Sequence, residues 1–321
     1  MSHALLSATV SEIIQETPDV KVIVLVPSAG LRLPAYAPGA HIDVATPCGL
    51  IRQYSLCALY EDGTSYRIAI KLVEESRGGS RDMHNHLAVG DSLLISSPRN
   101  NFGIQKGAHH VLIAGGIGIT PLFAMMQHLE ATSQSYELHY FARHESQVCF
   151  RAEIMRPEVA SKVRLHLGVS PNAMPQVLEG IIGMPGLGHQ IYFCGPAAMM
   201  GLIEQCAGKR QWPQDALHRE YFTPAKQTDE ASKGSFNVKL NSTQQTFHIA
   251  ADKSILQVLR ENGLNPVSSC EQGTCGTCIC KVLDGAPDHR DHFLSEFQKK
   301  SGKKIAICVS RSNSELLTLD L

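Results

Sequence analysis

The chain has no surplus of charge of either sign: its 321 residues carry a formal net charge of −1. Broad electrostatic attraction to nucleic acid or an anionic membrane is therefore not expected. No apolar run approaches the roughly 18 residues that would span a bilayer. The first residues lack a basic segment followed by a long apolar one, so no secretory signal is expected. No long internal repeat, low-complexity tract, Ser–His–Asp pattern or paired-carboxylate pattern stands out. What the chain does have is cysteine, ten in all. A chain this long with scattered cysteines does not match a small secreted disulfide scaffold, and a cytoplasmic location is expected.

Four of the cysteines form a pattern. Cys270, Cys275 and Cys278 share one short loop, and Cys308 follows with 29 residues between. The C-x4-C-x2-C…C spacing is that of a plant-type [2Fe–2S] cluster. Gly273 and Gly276 let the loop curl without a Cβ clash. Thr274, Thr277 and the main-chain amides offer hydrogen bonds to sulfur. Structural zinc is the competing reading, but it usually takes two matched Cys/His pairs, and here the second half is a lone cysteine. Cys280, two residues past Cys278, is expected not to be a ligand. Cys48, Cys57, Cys149, Cys194 and Cys206 are scattered and read mostly as buried thiols.

Length suggests two or three domains. Residues 1–104 are β-rich: 20–26, 41–45, 67–73 and 92–96 have strand-like apolar content, broken by Pro34, Pro38, Gly39, Pro47 and Gly63. Many short strands with such breaks predict an antiparallel barrel. Residues 105–223 change period. Strands at 110–114, 137–142, 163–169 and 190–194 alternate with helical stretches, clearest at 120–130 and 197–206, which predicts a parallel α/β sheet. Residues 224–235 are polar with almost nothing to bury and read as a linker. From 236 to 321 the pattern is two strands, a helix at 254–262 capped by Ser254 and ended by Gly263, the cysteine loop, and two final strands.

Two turns in the middle segment point to a nucleotide. Gly115, Gly116, Ile117, Gly118, Ile119, Thr120 and Pro121 join a strand to a helix, and Pro121 suits the first helical position. The third glycine of the usual dinucleotide pattern is absent. No acid ends the next strand, which runs into Arg143, His144 and Glu145. The second turn, Cys194, Gly195 and Pro196, ends another buried strand, and ligands of open parallel sheets bind at such ends. Cys194 has no His–acid partnership, so it reads as a packing residue and not a nucleophile. In the first segment Arg52, Gln53, Tyr54 and Ser55 lie on a strand, with an arginine for phosphate, a tyrosine for an aromatic ring and a serine for a ring nitrogen. Arg77, Gly78, Gly79 and Ser80 form a glycine-rich turn with the character of a phosphate nest.

In this order the motifs resemble phthalate dioxygenase reductase and its relatives, which include the reductases of vanillate O-demethylase and carnitine monooxygenase. The likeness covers essentially the whole chain. It implies a ferredoxin reductase-like β-barrel holding FMN, an NAD-binding α/β domain and a C-terminal β-grasp plant-type ferredoxin. Electrons then pass from NADH to FMN to [2Fe–2S] to a separate Rieske-type oxygenase. By this resemblance Arg52 and Ser80, with Arg77, Gly78 and Gly79, hold the FMN phosphate. Gln53 fills a variable place in the same motif. Tyr54, Ser55 and the strand Ala69, Ile70 and Lys71 meet the isoalloxazine, with Phe222 near it. Gly116, Gly118, Thr120 and Pro121 line the pyrophosphate, and Cys194, Gly195 and Pro196 flank the nicotinamide. Asp288 and Asp291 order the loop before the last cysteine. Arg143 and His144 are basic where a 2′-phosphate binds, but Glu145 and the family habit favour NADH over NADPH. No catalytic side chain is needed, because the redox chemistry belongs to the cofactors. Competing readings are a reductase for a quinone or a diiron oxygenase, and a redox sensor.

Overall fold

The computed structural model describes residues 5–28, 32–59, 63–73, 78–222 and 234–321. Those up to Phe222 form one compact unit and those from 234 onward a second. No helix among the described residues is long and apolar enough to cross a membrane.

The first unit opens with seven antiparallel strands: β1 (Leu5–Thr17), β2 (Val20–Pro27), β3 (Ala40–Ala45), β4 (Ile51–Ser55), β5 (Tyr66–Lys71), β6 (Ser92–Ser96) and β7 (Arg99–Asn100). Six run in the order β4-β3-β6-β1-β2-β5, and β7 pairs with β3. A bridge between Leu56 and Ile68 joins the two ends of that order, so the sheet closes into the expected barrel. Period-two alternation fills the interior with Ile23, Leu25, Ile42, Ile68 and Ile70. The long first strand was not foreseen. Its polar residues, Ser7, Thr9, Ser11 and Glu12, hide the alternation that buries Ala8 and Val10.

The same unit continues with five parallel strands: β8 (His109–Gly115), β9 (Tyr136–Ala142), β10 (Val163–Leu167), β11 (His189–Cys194) and β12 (Leu217–Glu220). Their order is β10-β9-β8-β11-β12. The chain steps outward from β8 through β9 and β10, then returns to the other side of β8, which makes the β8–β11 gap a topological switch point. Helices Ile119–Ala131 and Ala197–Lys209 cover this sheet, each slightly longer than its pattern predicts. One core joins Val20, Val22, Cys57 and Ala69 of the barrel to Leu122, Phe123 and Tyr140 of the α/β fold. The expected boundary at residue 104 is therefore crossed by continuous packing. Arg67 reinforces it, pairing with Glu153 at 3.1 Å and lying over the Phe150 ring.

The second unit has a mixed five-stranded sheet of β13 (Phe236–Leu240), β14 (Thr246–Ile249), β15 (Ile279–Asp284), β17 (Lys304–Ala306) and β19 (Leu316–Leu319). The order is β14-β13-β19-β15-β17, with β13 and β19 parallel. A small ribbon pairs β16 (Pro287–Asp288) with β18 (Arg311–Ser312). Helix Ile255–Glu261 is capped by Ser254 in a reciprocal box with Gln257. A second helix, Glu296–Ser301, starts with the same device at Ser295 and Gln298. The sequence reading placed no helix there, although the Ser-x-x-Gln signature was present. The predicted linker, 224–235, lies almost wholly outside the described residues.

Candidate redox site

The two glycine turns of the α/β fold meet. A Cβ on Gly118 would stand 2.2 Å from the carbonyl oxygen of Cys194 and 2.8 Å from the amide nitrogen of Gly195. A Cβ on Gly115 would strike Pro196 and Met199 at 2.7 Å. Glycine is thus required by close approach of two backbones at the switch point. Gly116 has φ +54° with open space around it, leaving its backbone accessible to a ligand. Thr120 is buried and donates to the carbonyl of Ile117 at 3.0 Å, so its hydroxyl orders the turn. Pro121 is the third residue of its helix, not the first, because a 3-10 turn at Gly116–Gly118 precedes the helix start at Ile119. Arg143 and His144 are exposed past the end of β9. Glu145 is engaged by Arg151 at 2.5 Å, so it is not the unattached acid that a ribose-binding role would need.

On the barrel, the Arg52 side chain lies against the glycine turn. A Cβ on Gly79 would come within 2.8 Å of Arg52 Nε, so the arginine side chain would have to shift to admit one. Gly78 is left-handed at φ 99° and starts the helix Gly79–Asn85. Ser80 accepts from the Val73 amide at 3.2 Å, tying this turn to the segment after β5. Arg77 lies outside the described residues. Arg52 and Tyr54 project to one side of β4, and Gln53 and Ser55 to the other. Along β5 the picture is more restrictive than expected. Ile70 belongs to the barrel core, and the Lys71 ammonium is held by Asp19 at 3.3 Å. Neither side chain is free for a ring; Ala69 packs in the core shared with the α/β fold. Phe222 is 36% exposed just past β12.

Sequence reasoning missed the residue that joins these parts. Glu220 ends β12 in register with Cys194 on β11. One oxygen is 3.4 Å from Ser55 Oγ, which donates to it, and the other is 3.7 Å from His41 Nδ1. Strand ends from the barrel and from the α/β sheet therefore converge on one largely buried carboxyl, 15% exposed. Burial pushes Glu220 up to about 8, only partly opposed by the Ser55 hydrogen bond. The Cys194 thiol is raised well above its ordinary range, first by burial and then by Glu220, which suits a packing residue and not a nucleophile. The one signal in the sequence was an acid at a strand end.

The raised Glu220 makes a stability prediction with a definite sign. Between the ordinary carboxyl value and about 8 the folded state keeps a proton that the unfolded chain loses. Stability should fall as pH rises through that window. Glu220→Gln removes the titration and should gain about 2 kcal/mol over the parent at pH 8, and much less at pH 5. Paired thermal melts at the two pH values check this, and equal gains at both would contradict it.

The cysteine loop of the second unit forms two pairs of sulfurs. Cys278 and Cys308 are 3.1 Å apart, and the Cys275 thiol hydrogen-bonds Cys270. The first member of each pair is favoured as thiolate. Cys270 is drawn down to about 5 and Cys278 below its ordinary range, each first by its partner's thiol, with burial opposing. Backbone amides of Gln272 and Thr277 point at Cys270 and Cys275 at 3.3 and 3.4 Å. Thr277 Oγ1 is buried beside Cys275 and adds a hydroxyl donor to the surroundings of the sulfurs. Among the described residues no three His, Cys, Asp or Glu side chains gather as a single ion requires. Paired sulfurs suit a dinuclear group in which each iron takes two, and the residues present fit [2Fe–2S] better than zinc. Gly273 and Gly276 both have φ +72°, and a Cβ on Gly276 would enter the Phe293 ring at 2.3 Å. Asp291 accepts from the Leu294 amide at 2.7 Å, and Asp288 holds Arg290 at 2.7 Å. Cys280 sits on β15 within the apolar core, its thiol pushed up to about 12 by burial.

Comparison with known proteins agrees with this reading. Residues 238–313 match the 2Fe-2S iron-sulfur cluster binding domain, and residues 112–205 the oxidoreductase NAD-binding domain. The chain is 40% identical over 304 residues to vanillate O-demethylase oxidoreductase of Pseudomonas sp. (strain HR199 / DSM 7063), covering 94% of this chain and 96% of that one. The solved phthalate dioxygenase reductase, a modular structure for electron transfer from pyridine nucleotides to [2Fe-2S], matches at 34% identity with TM-score 0.74, over 99% of this chain and 98% of that one. An intact type IV self-sufficient cytochrome P450 monooxygenase matches at 35% identity and TM-score 0.85. The match takes in 99% of this chain but only 41% of the monooxygenase. Fold and site together define an oxidoreductase with an NAD-binding domain and a [2Fe–2S] domain. Within that class, the chain belongs to the phthalate dioxygenase reductase family.

Proposed function

We propose that this protein is the reductase component of a Rieske-type oxygenase or O-demethylase system. It takes electrons from NADH onto FMN and releases them singly through its [2Fe–2S] cluster. The observation that carries this reading is the convergence of Ser55 and Cys194 on Glu220. It brings the barrel strand suited to a flavin and the strand end suited to a nicotinamide to one carboxyl. A flavin there supplies the conversion between a two-electron donor and a one-electron acceptor. Arg52 against Gly79 supports a phosphate at the turn, which suits the single phosphate of FMN. Tyr54 and Ser55 would orient the ring. Gly116, Gly118, Gly195 and Pro196 shape the nucleotide cleft, and the fully buried Cys194 excludes water from it. The NADH preference rests on family habit, since Arg143 and His144 stand without a free acid beside them.

An anaerobic NADH titration followed by visible absorption and EPR tests the reading. Stoichiometric bleaching of flavin and cluster, with the EPR signal of a reduced cluster, is the expected result. A protein that binds NADH without bleaching would be a sensor. One that passes electrons to a quinone or a diiron oxygenase but to no Rieske protein would keep the chemistry and change the partner.

A further inference from the structure

Four buried polar atoms without a hydrogen-bond partner gather on one face of the barrel: both ring nitrogens of His41, Nε2 of Gln53 and Nε of Arg99. Their residues are neighbours, since His41 pairs with Ser55 on β4 and with Arg99 on β7, and Asp43 pairs with Gln53. His41 is only 4% exposed. Its Nδ1 faces Glu220 at 3.7 Å, and the other Glu220 oxygen meets Ser55. Beyond the imidazole, Arg99 is bonded to Asp43 at 2.7 Å, and those two side chains are 20% and 13% exposed. Ser55, Glu220 and His41 are thus within 3.4 and 3.7 Å of one another in turn, and strand pairing sets the partly exposed Asp43–Arg99 pair next to the imidazole without a direct hydrogen bond to it.

We propose that His41 is a positioning residue that carries a proton from Glu220 toward the Asp43–Arg99 pair, and so out of the redox site. The inference rests on the function proposed above. Oxidation of NADH gives NAD⁺, two electrons and one proton. The electrons go one at a time to the cluster and then to a one-electron acceptor, and neither takes the proton. One proton per NADH is therefore left at the redox site. Glu220 passes its proton to the imidazole and is refilled from the Ser55 side; the imidazole releases a proton to water at Asp43. In the resting state the donor holds a proton and the acceptor has room for one, and each transfer is a brief uphill step. Burial keeps the carboxyl protonated near neutral pH. His41 is pushed down to about 4, first by burial and then by Arg99, with Asp43 opposing, so its lone pair is available. The charged and titratable groups around His41 are Glu220 on β12, Arg99 on β7 and Asp43 on its own strand, with Cys194 of β11 behind Glu220. What sets His41 apart from His110, whose two ring nitrogens are also buried and unbonded, is the Glu220 carboxyl 3.7 Å from its Nδ1.

The test uses the full-length oxidised holoprotein labelled with ¹⁵N at histidine. Glu220→Gln should shift the His41 ring resonances and their titration, while His110, another buried histidine, serves as the internal control. His41 resonances that do not respond would overturn the proposal, and this measurement stands even if a His41 variant fails to fold. With ferricyanide as acceptor, His41→Phe should lower kcat roughly tenfold with KM for NADH nearly constant. It should also raise the solvent deuterium isotope effect, and added imidazole should restore part of the rate to His41→Ala. A His41→Phe protein with full flavin content and unchanged kcat sinks the relay alone; a parent protein that binds no flavin sinks the underlying function.

Discussion

Cys308→Ser should give a protein that still reduces ferricyanide with NADH but has lost its cluster absorbance and nearly all transfer to cytochrome c. The reason is the division of the ligand set. Three cysteines come from one loop, while Cys308 follows β17 and closes on Cys278 at 3.1 Å. Serine shortens the reach of the donor and replaces a soft thiolate with a hydroxyl that stays protonated. Loss of a supporting hydrogen bond at a metal site already costs ~10–100-fold, so loss of a ligand should cost on the order of a hundredfold or more in cluster-dependent turnover. Cys280→Ser is the contrast. That thiol is two residues from Cys278 yet sits in the strand core opposite Ile305. The cluster spectrum should survive, with a loss of about 1 kcal/mol for an unsatisfied buried hydroxyl. Visible spectra and melting temperatures of the two variants separate the roles. A colourless Cys280→Ser protein would move the ligand assignment.

How far the sequence could be read depended on how local each constraint was. The cysteine loop and the two glycine turns were legible because spacing within about ten residues carries their chemistry. The capped helix Ile255–Glu261 was legible for the same reason. Glu220 was not, because what makes it unusual is burial against Ser55, 165 positions away in the chain. His41 was invisible on the same grounds; its neighbours Arg99 and Glu220 arrive through strand pairing and packing. The assignment of Ile70 and Lys71 to a ring was legible only as far as the strand. A motif can locate a strand, but it does not say which side of the pleat faces the ligand, and here one side is barrel core. The short helix Glu296–Ser301 was passed over because six residues are too few for periodicity to register, although its capping box was readable.

The nucleotide turn makes the second large prediction. Gly118→Ala should cripple NADH use and destabilise the fold, whereas Gly116→Ala, whose methyl enters the open cleft, should weaken NADH binding with a smaller loss of stability. Gly118 has φ −63°, a conformation any residue adopts, so backbone strain is not the issue. What matters is space. The new methyl would lie 2.2 Å from the Cys194 carbonyl oxygen and 2.5 Å from its carbon, and neither is the end of a flexible side chain. To admit it, the turn after β8 and the turn after β11 must separate, and these strands are paired in register through Ala114 and Cys194. Overpacking of this kind costs about 1–3 kcal/mol in a core, and backbone-on-backbone contact places it at the upper end. Separation also widens the cleft where pyrophosphate and nicotinamide would be gripped, and a misplacement of about 1 Å can cost ~100-fold in rate. At Gly116 a methyl meets nothing within 4 Å, and only the left-handed φ of +54° is penalised, by about 1–2 kcal/mol. Steady-state kinetics with ferricyanide and thermal melts of both variants give the comparison. Normal NADH kinetics in a stably folded Gly118→Ala protein would show that the cofactor does not bind across this junction.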